Sequence, residues 1–481
     1  MPTTDGYNLS SMQNDLVPLM YAMHYIGLCL GIGLLGGVLR FILSHSSKTR
    51  QQTNLPPIIP IPDDQIYSNP REAYENAFKV SGSHVVGVKK KGRNFYFELE
   101  FIVDDTLLHD VLTNNQAFNF QDGVMTLLNM KFLNDSFTDY FARHDDLVRN
   151  AIVNRMPFVI NQVFPVFMKN AEKLMREVNS NQRKHVDALE FFHYSLCEAM
   201  TKVILGGGLY EGFLEQKEVI GPAIWRKLTS GHRSQAAEEE SFADSEGSVL
   251  DYLTCKYASG TENVGLQTFL KISGLISGNF FAAIHITSTV SVWVLFELSR
   301  RPELVSVLRE ELTTLVDIPA SGKELPVLSY EVVQNAKILD SFIREVLRTK
   351  GDILSVCRMI RNDVRLDGYD LPKDHLIFGL TTLLHLSPKY QGSDASEIKY
   401  DRWVLTNKSA ATIGKSYLSF GLGRWACPGR ALAIAEIKML IWSIICRATP
   451  VLEGGSYDIV DRLEITARAP RGKLVLVPYS T

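Results

Sequence analysis

The stretch that decides the reading is Phe420-Gly421-Leu422-Gly423-Arg424-Trp425-Ala426-Cys427-Pro428-Gly429-Arg430. Without a Cβ, Gly421, Gly423 and Gly429 allow tight turns and a close approach of backbone to a flat partner. Pro428 and Gly429 precede an apolar run from Ala431 to Cys446 that predicts a helix. Cys427 therefore stands just before a helix start, where backbone N–H groups and the helix dipole favour a thiolate. Phe420 can shield the sulfur on one side. A shielded thiolate in that position suits a soft, redox-tuned metal. Taken alone, a single cysteine before a helix is more plainly a small buried hydrophobe. Only the surrounding pattern separates the two readings.

Upstream, Glu345-Val346-Leu347-Arg348 lies on a predicted helix from about Tyr330 to Arg348. The i,i+3 spacing puts both charges on one face. By itself such a pair is an ordinary solvated ion pair. Tyr400-Asp401-Arg402-Trp403 offers a second arginine. Between about 266 and 300, apolar residues run almost all round a long helical segment, which predicts a helix buried in a large core. Its middle reads Ala282-Ala283-Ile284-His285-Ile286-Thr287-Ser288, and Pro302 opens the next helix. Strand-like sequence occurs around Val85–Val88 and Phe95–Ile102. Val364–Leu366, Asp367-Gly368 and Leu371–Thr381 read as a hairpin with a DG turn. The polar, acidic stretch Gln235–Gly247 reads as a surface loop.

From Leu16 to Leu39 there is no Asp, Glu, Lys or Arg. As a helix this stretch reaches about 36 Å, enough to cross a hydrocarbon core of about 30 Å. Arg40, Lys48 and Arg50 follow it, which places the C-terminal side in the cytosol. A monotopic hydrophobic helix is the alternative. The GxGxxG formed by Gly31, Gly33 and Gly36 follows no strand, so it is not a dinucleotide site. Pro56, Pro57, Pro60 and Pro62 predict a stiff extended spacer. The expected organisation is a lumenal tail over 1–15, a transmembrane anchor over 16–39, a proline-rich linker over 40–62 and one catalytic domain over 63–481. With 50 Lys and Arg against 53 Asp and Glu, the net charge of −3 argues against a nucleic-acid partner. The 6 cysteines are scattered with no CxxC, which fits neither a disulfide framework nor a zinc ribbon.

The Phe420–Gly429 loop resembles the cysteine loop of cytochrome P-450 enzymes, the haem-thiolate monooxygenases: Phe420, Gly423, Cys427 and Gly429 match its pattern. The resemblance implies a mainly α fold with small β-sheets, here preceded by one N-terminal transmembrane helix. It implies haem b with Cys427 as the proximal iron ligand. It casts Glu345, Arg348 and Arg402 as a buried structural triad. Phe420, Gly423, Arg424, Trp425 and Gly429 would line the cofactor, with Arg358 binding a haem propionate. Trp425 stands where relatives place a cation, and its indole brings a donor without charge. The early-helix Trp-x-x-x-Arg is missing its Trp, leaving Arg149 as the nearest arginine. On the distal helix, His285 replaces the usual acid and Ile286 the usual alcohol, so the implied catalytic residues are His285 and Thr287. Ser288, substrate or water could serve the relay instead. The region between Gly206 and Leu250, which roofs the substrate in relatives, is short and polar here.

On this resemblance the chain is an endoplasmic-reticulum, single-pass enzyme with a cytosolic catalytic domain. Electrons come from NADPH through a separate reductase. One O2-derived oxygen atom enters a lipophilic small molecule of terpenoid or alkaloid type in fungal secondary metabolism. Two alternatives stay open: a haem-thiolate isomerase, cyclase or coupling catalyst without the usual O2 relay, and a non-catalytic haem-binding membrane protein.

Overall fold

The computed structural model describes residues 54–59, 76, 79–91, 96–102, 105–127, 139–180, 184–207, 209–210, 220–229, 242, 245–258, 265–316, 328–351, 356–379, 381–458 and 469–479. The tail over 1–15, the anchor over 16–39 and most of the linker over 40–62 lie outside the described residues. The chain divides into two compact units, Met1–Leu55 and Pro56–Thr481. The second is the body described here.

Among the described residues the body is mainly helical with three small sheets. Strands β1 (Val85–Lys91) and β2 (Tyr96–Ile102) pair antiparallel and open a five-stranded sheet of order β1-β2-β7-β4-β3. Helix α1 (Asp105–Thr113), strand β3 (Phe118–Asn119) and helix α2 (Phe120–Leu127) follow. The rest of the sheet is supplied late in the chain by β4 (Val356–Ile360) and β7 (Leu376–Gly379); β7 runs parallel to β2 and antiparallel to β4. Ahead of β1, the Pro57 carbonyl accepts the Gly87 amide at 3.0 Å, so residues 57–59 of the proline-rich stretch lie along β1.

The DG turn forms between β5 (Val364–Leu366) and β6 (Tyr369–Leu371). Asp367 and Gly368 take φ of 50° and 82°, the left-handed pair that a two-residue hairpin needs. The second arm is shorter than the sequence pattern predicts. Asp374 turns at φ 68°, and the chain then leaves the hairpin to join the large sheet as β7. Strands β8 (Ala448–Leu452) and β9 (Leu474–Pro478) form the third sheet.

The helical layer is built from α3 (Tyr140–Ala151), α4 (Met156–Asn179), α5 (Ala188–Leu205), α6 (Ile220–Thr229), α7 (Val249–Ala258), α8 (Leu266–Ser299), α9 (Pro302–Leu315), α10 (Lys337–Lys350) and α11 (Arg430–Ile445). Helix α8 packs along α5, α10 and α11 and forms the axis of the core. The stretches Tyr140–Asn179 and Leu266–Ser299 are long and apolar enough to cross a membrane, yet both are largely buried in the body.

Three further expectations change. Residues 287–298 of α8 are buried all round, but its N-terminal half exposes Leu270, Phe281 and Ile286. The helical spacing of Ala282, His285 and Ile286 gathers them into one open stripe. The predicted helix from Tyr330 to Arg348 is broken at Ala336 (ψ 80°) into Tyr330–Asn335 and α10. The break frees the amides of Ile338 and Leu339, and the Glu311 carboxylate accepts both at 2.5 and 3.0 Å. In the polar stretch before α7, Phe242 is buried against Tyr252 and beneath Arg155, whose Nη2 also donates to the carbonyls of Ser245 and Gly247. One large apolar side chain thus pins part of a loop whose composition alone predicts solvent.

Candidate functional site

The cysteine loop is a closed turn. The Cys427 amide donates to the Phe420 carbonyl at 2.8 Å, and Gly421 and Gly423 sit at φ of 73° and 69°, which only glycine adopts freely. Gly423–Trp425 forms a 3₁₀ turn, and α11 begins at Arg430 with Gly429 as its cap. Backbone N–H groups of Gly429 and Arg430 point at the Cys427 sulfur. The Arg430 side chain donates to the Cys427 carbonyl at 2.7 Å. Burial pushes the Cys427 thiol above its ordinary range, and the two amides with the Arg430 charge pull it back only in part. A stable thiolate here therefore needs one further positive partner, which a bound metal cation supplies.

Beside the loop, Arg358 on β4 is 2% exposed. Its Nη1 donates to the Cys357 carbonyl at 2.9 Å, and its Nε has no hydrogen-bond partner among the described residues. Burial lowers its pKa to about 10. The guanidinium lies over Phe120, whose ring stacks on Trp425 with centroids 5.6 Å apart. A Cβ on Gly123 would come within 2.9 Å of the Arg358 backbone, so this glycine lets α2 rest directly on β4. Neither Phe120 nor Gly123 carries a signal that sequence reasoning could read. A buried guanidinium short of an anion, next to an aromatic floor and a cysteine turn, fits a flat cofactor bearing carboxylates.

The other two arginines expected at the cofactor are exposed. Arg424 is exposed and lies over the Trp425 ring at 5.1 Å. Arg149 donates to Asp145 on its own helix at 2.9 Å and points away into solvent. From α3 it is the Asp145 charge that reaches Cys427.

Glu345 and Arg348 are buried and joined twice at 2.8 Å. The Glu345 carboxylate also accepts Arg402 Nε at 3.0 Å, Trp403 Nε1 at 2.8 Å and the Lys399 amide at 3.1 Å. Arg348 donates onward to the carbonyls of His385, Ala395 and Glu397. Burial alone would raise the Glu345 carboxyl; Arg348, the Lys399 amide and Arg402 hold it below the ordinary range. Trp403, next to Arg402 in sequence, is a fourth member that the charge pattern does not reveal.

On α8, the His285 ring stacks with Phe281 of its own helix and with His193 of α5, the latter at 5.8 Å and 26°. Thr287 is buried, two residues or about 200° round the helix from His285. The Ser288 hydroxyl is taken up by the Ile284 carbonyl at 2.7 Å. The structure therefore brings His285 and Ile286 to the open stripe, and Thr287 to the packed side.

Residues 224–453 match the family model described as Cytochrome P450. The chain is 29% identical over 177 residues to a lanosterol 14-alpha demethylase of Mus musculus, covering 37% of this chain and 34% of that one. It is 27% identical over 249 residues to a beta-amyrin 24-hydroxylase of Glycine max, covering 50% and 47%. The chain thus spans about a third to a half of the length of these curated relatives. Among solved structures, the cytochrome P450DA heme domain superposes with a TM-score of 0.60 at 17% identity, covering 88% of this chain and 98% of that one.

Proposed function

We propose that this chain, which belongs to the cytochrome P450 family, is a haem-thiolate monooxygenase that inserts one oxygen atom of O2 into a lipophilic small molecule. The observation that carries the reading is the pairing of the Cys427 turn with the buried Arg358 guanidinium, whose Nε has no partner among the described residues. Cys427, Arg358, Phe420 and Trp425 would hold haem b, the cysteine through its sulfur and the arginine through its charge on a carboxylate. When bound, haem supplies the redox chemistry of O2 activation. The chain's own part is to hold the thiolate with the amides of Gly429 and Arg430, and to deliver protons from the α8 stripe. His285 is the titratable side chain on that stripe and is the proton donor in this reading.

By name the relatives are a lanosterol 14-alpha demethylase and a beta-amyrin 24-hydroxylase, which supports a terpenoid-class substrate. Fungal secondary metabolism, a partner reductase fed by NADPH, and a single-pass endoplasmic-reticulum anchor over 16–39 complete the proposal. The reduced protein with CO should show the absorption band of thiolate-ligated haem, and Cys427→Ala should lose it. A band retained in Cys427→Ala overturns the ligand assignment. A second reading, a haem-thiolate isomerase or coupling catalyst, is favoured by Ile286 on the stripe and Thr287 off it. Product formed without NADPH and O2 would select it.

A further inference from the structure

We propose that His193 is a positioning residue for His285: the two rings are stacked across α5 and α8, and a proton on one opposes a proton on the other. The proposal deepens the monooxygenase reading and takes its catalytic meaning from it. The geometry comes first. The rings lie 5.8 Å apart and nearly parallel, one on α5 and one on α8, the two helices that pack along each other at the core axis. His285 is exposed on the stripe, whereas His193 is half-buried on the neighbouring helix. No other Asp, Glu, Lys, Arg or His occurs between Phe280 and Phe296 of α8. Phe281, the other ring stacked on His285, is uncharged.

The charges facing His193 agree with that coupling. Burial disfavours its cation first, the His285 charge disfavours it next, and Asp187 favours it. Asp187 caps α5, and its carboxylate already accepts the Glu190 amide at 2.9 Å, so it acts on His193 as a fixed charge. Two like charges at this ring separation repel, so a proton on one ring disfavours a proton on the other.

The test has two arms. Diethyl pyrocarbonate labels neutral imidazole, and mass spectrometry reads each histidine separately. In His285→Gln the labelling midpoint of His193 should move upward by about one pH unit, because the repelling charge is gone. This readout needs no turnover, so it decides the coupling even if no oxygenated product is found and the monooxygenase reading fails. In the second arm, product per NADPH is followed against pH in the parent, His193→Phe and His193→Gln. His193→Phe keeps a flat ring and loses the proton. Both variants should lower product per NADPH about tenfold with the CO spectrum intact. Should one fail to fold, the other serves. An unmoved His193 midpoint in His285→Gln, or unchanged product per NADPH at every pH in the His193 variants, overturns the proposal.

Discussion

Arg358 lies 5.0 Å over the centre of the Phe120 ring. Through that contact and the Phe120–Trp425 stack, strand β4 of the large sheet is tied to the cysteine turn. A cation on an aromatic face is worth about 0.5–2 kcal/mol, which offsets only part of the cost of burying a guanidinium.

Arg358→Met should therefore act with opposite signs in two states. Without haem, replacing a buried cation that has one hydrogen bond by an apolar chain should stabilise the protein by about 1–4 kcal/mol. With haem, the same change should weaken retention of the cofactor. Melting curves of haem-free and haem-loaded protein check this; equal haem retention in parent and variant would place the propionates elsewhere.

Glu345 receives five donors from four residues, so its network should fail as a unit. Arg348→Ala leaves a buried carboxylate with its strongest partner removed and should cost about 3–5 kcal/mol. Arg402→Lys, at a partly exposed position, should cost about 1 kcal/mol, since a lysine cannot reproduce the fork that bonds both Glu345 and Asp394. Urea midpoints and haem content measured together separate a folding defect from a kinetic one.

Cys427 and the charges at 345, 348 and 402 were legible only through the surrounding pattern and its resemblance to a known family, since alone they read as a buried cysteine and a solvated ion pair. The long helix and the DG turn were legible because periodicity and backbone preference are local. His193 beside His285, and Asp145 reaching toward Cys427, were not, because they join helices far apart in the chain. The phase of α8 was hidden for another reason. Ile286 and Thr287 are neighbours in sequence, and only the packing against α5, α10 and α11 decides which one faces the stripe.

His385 should make stability fall on mild acidification. It is buried, accepts the Leu418 amide on Nε2 at 2.8 Å, and is driven down to about 3 by burial and then by the charges of Arg348 and Arg344. Its unfolded value is about 6.5. The folded state thus refuses a proton that the unfolded state takes. Its contribution is complete above about pH 6.5 and is lost as pH falls toward about 3, by about 1.4 kcal/mol per pH unit. Urea unfolding at pH 7, 6 and 5 should show this slope, and the range stays above the titration of ordinary carboxylates. His385→Gln keeps an acceptor for Leu418 without a proton site, so its slope should be flatter. Parallel slopes would mean that the imidazole is protonated in the fold.

Ile286 is 38% exposed on the same stripe as His285. A hydroxyl placed there faces the stripe and gives the proton path a second station. Ile286→Thr should then raise product per NADPH and lower peroxide, with each tenfold change in the productive step equal to about 1.4 kcal/mol. Thr287→Ala should behave differently. Its side chain is buried on the packed side, so the loss should appear as about 1 kcal/mol of stability with coupling unchanged. His285→Ala should impair turnover more than either, because it removes the titratable group of the stripe. NADPH, peroxide and product are measured together in the parent and the three variants. Coupling that falls in Thr287→Ala and stays flat in Ile286→Thr would reverse the assignment of faces. Coupling unchanged in all three, with product still requiring O2, would route the protons through water or substrate alone.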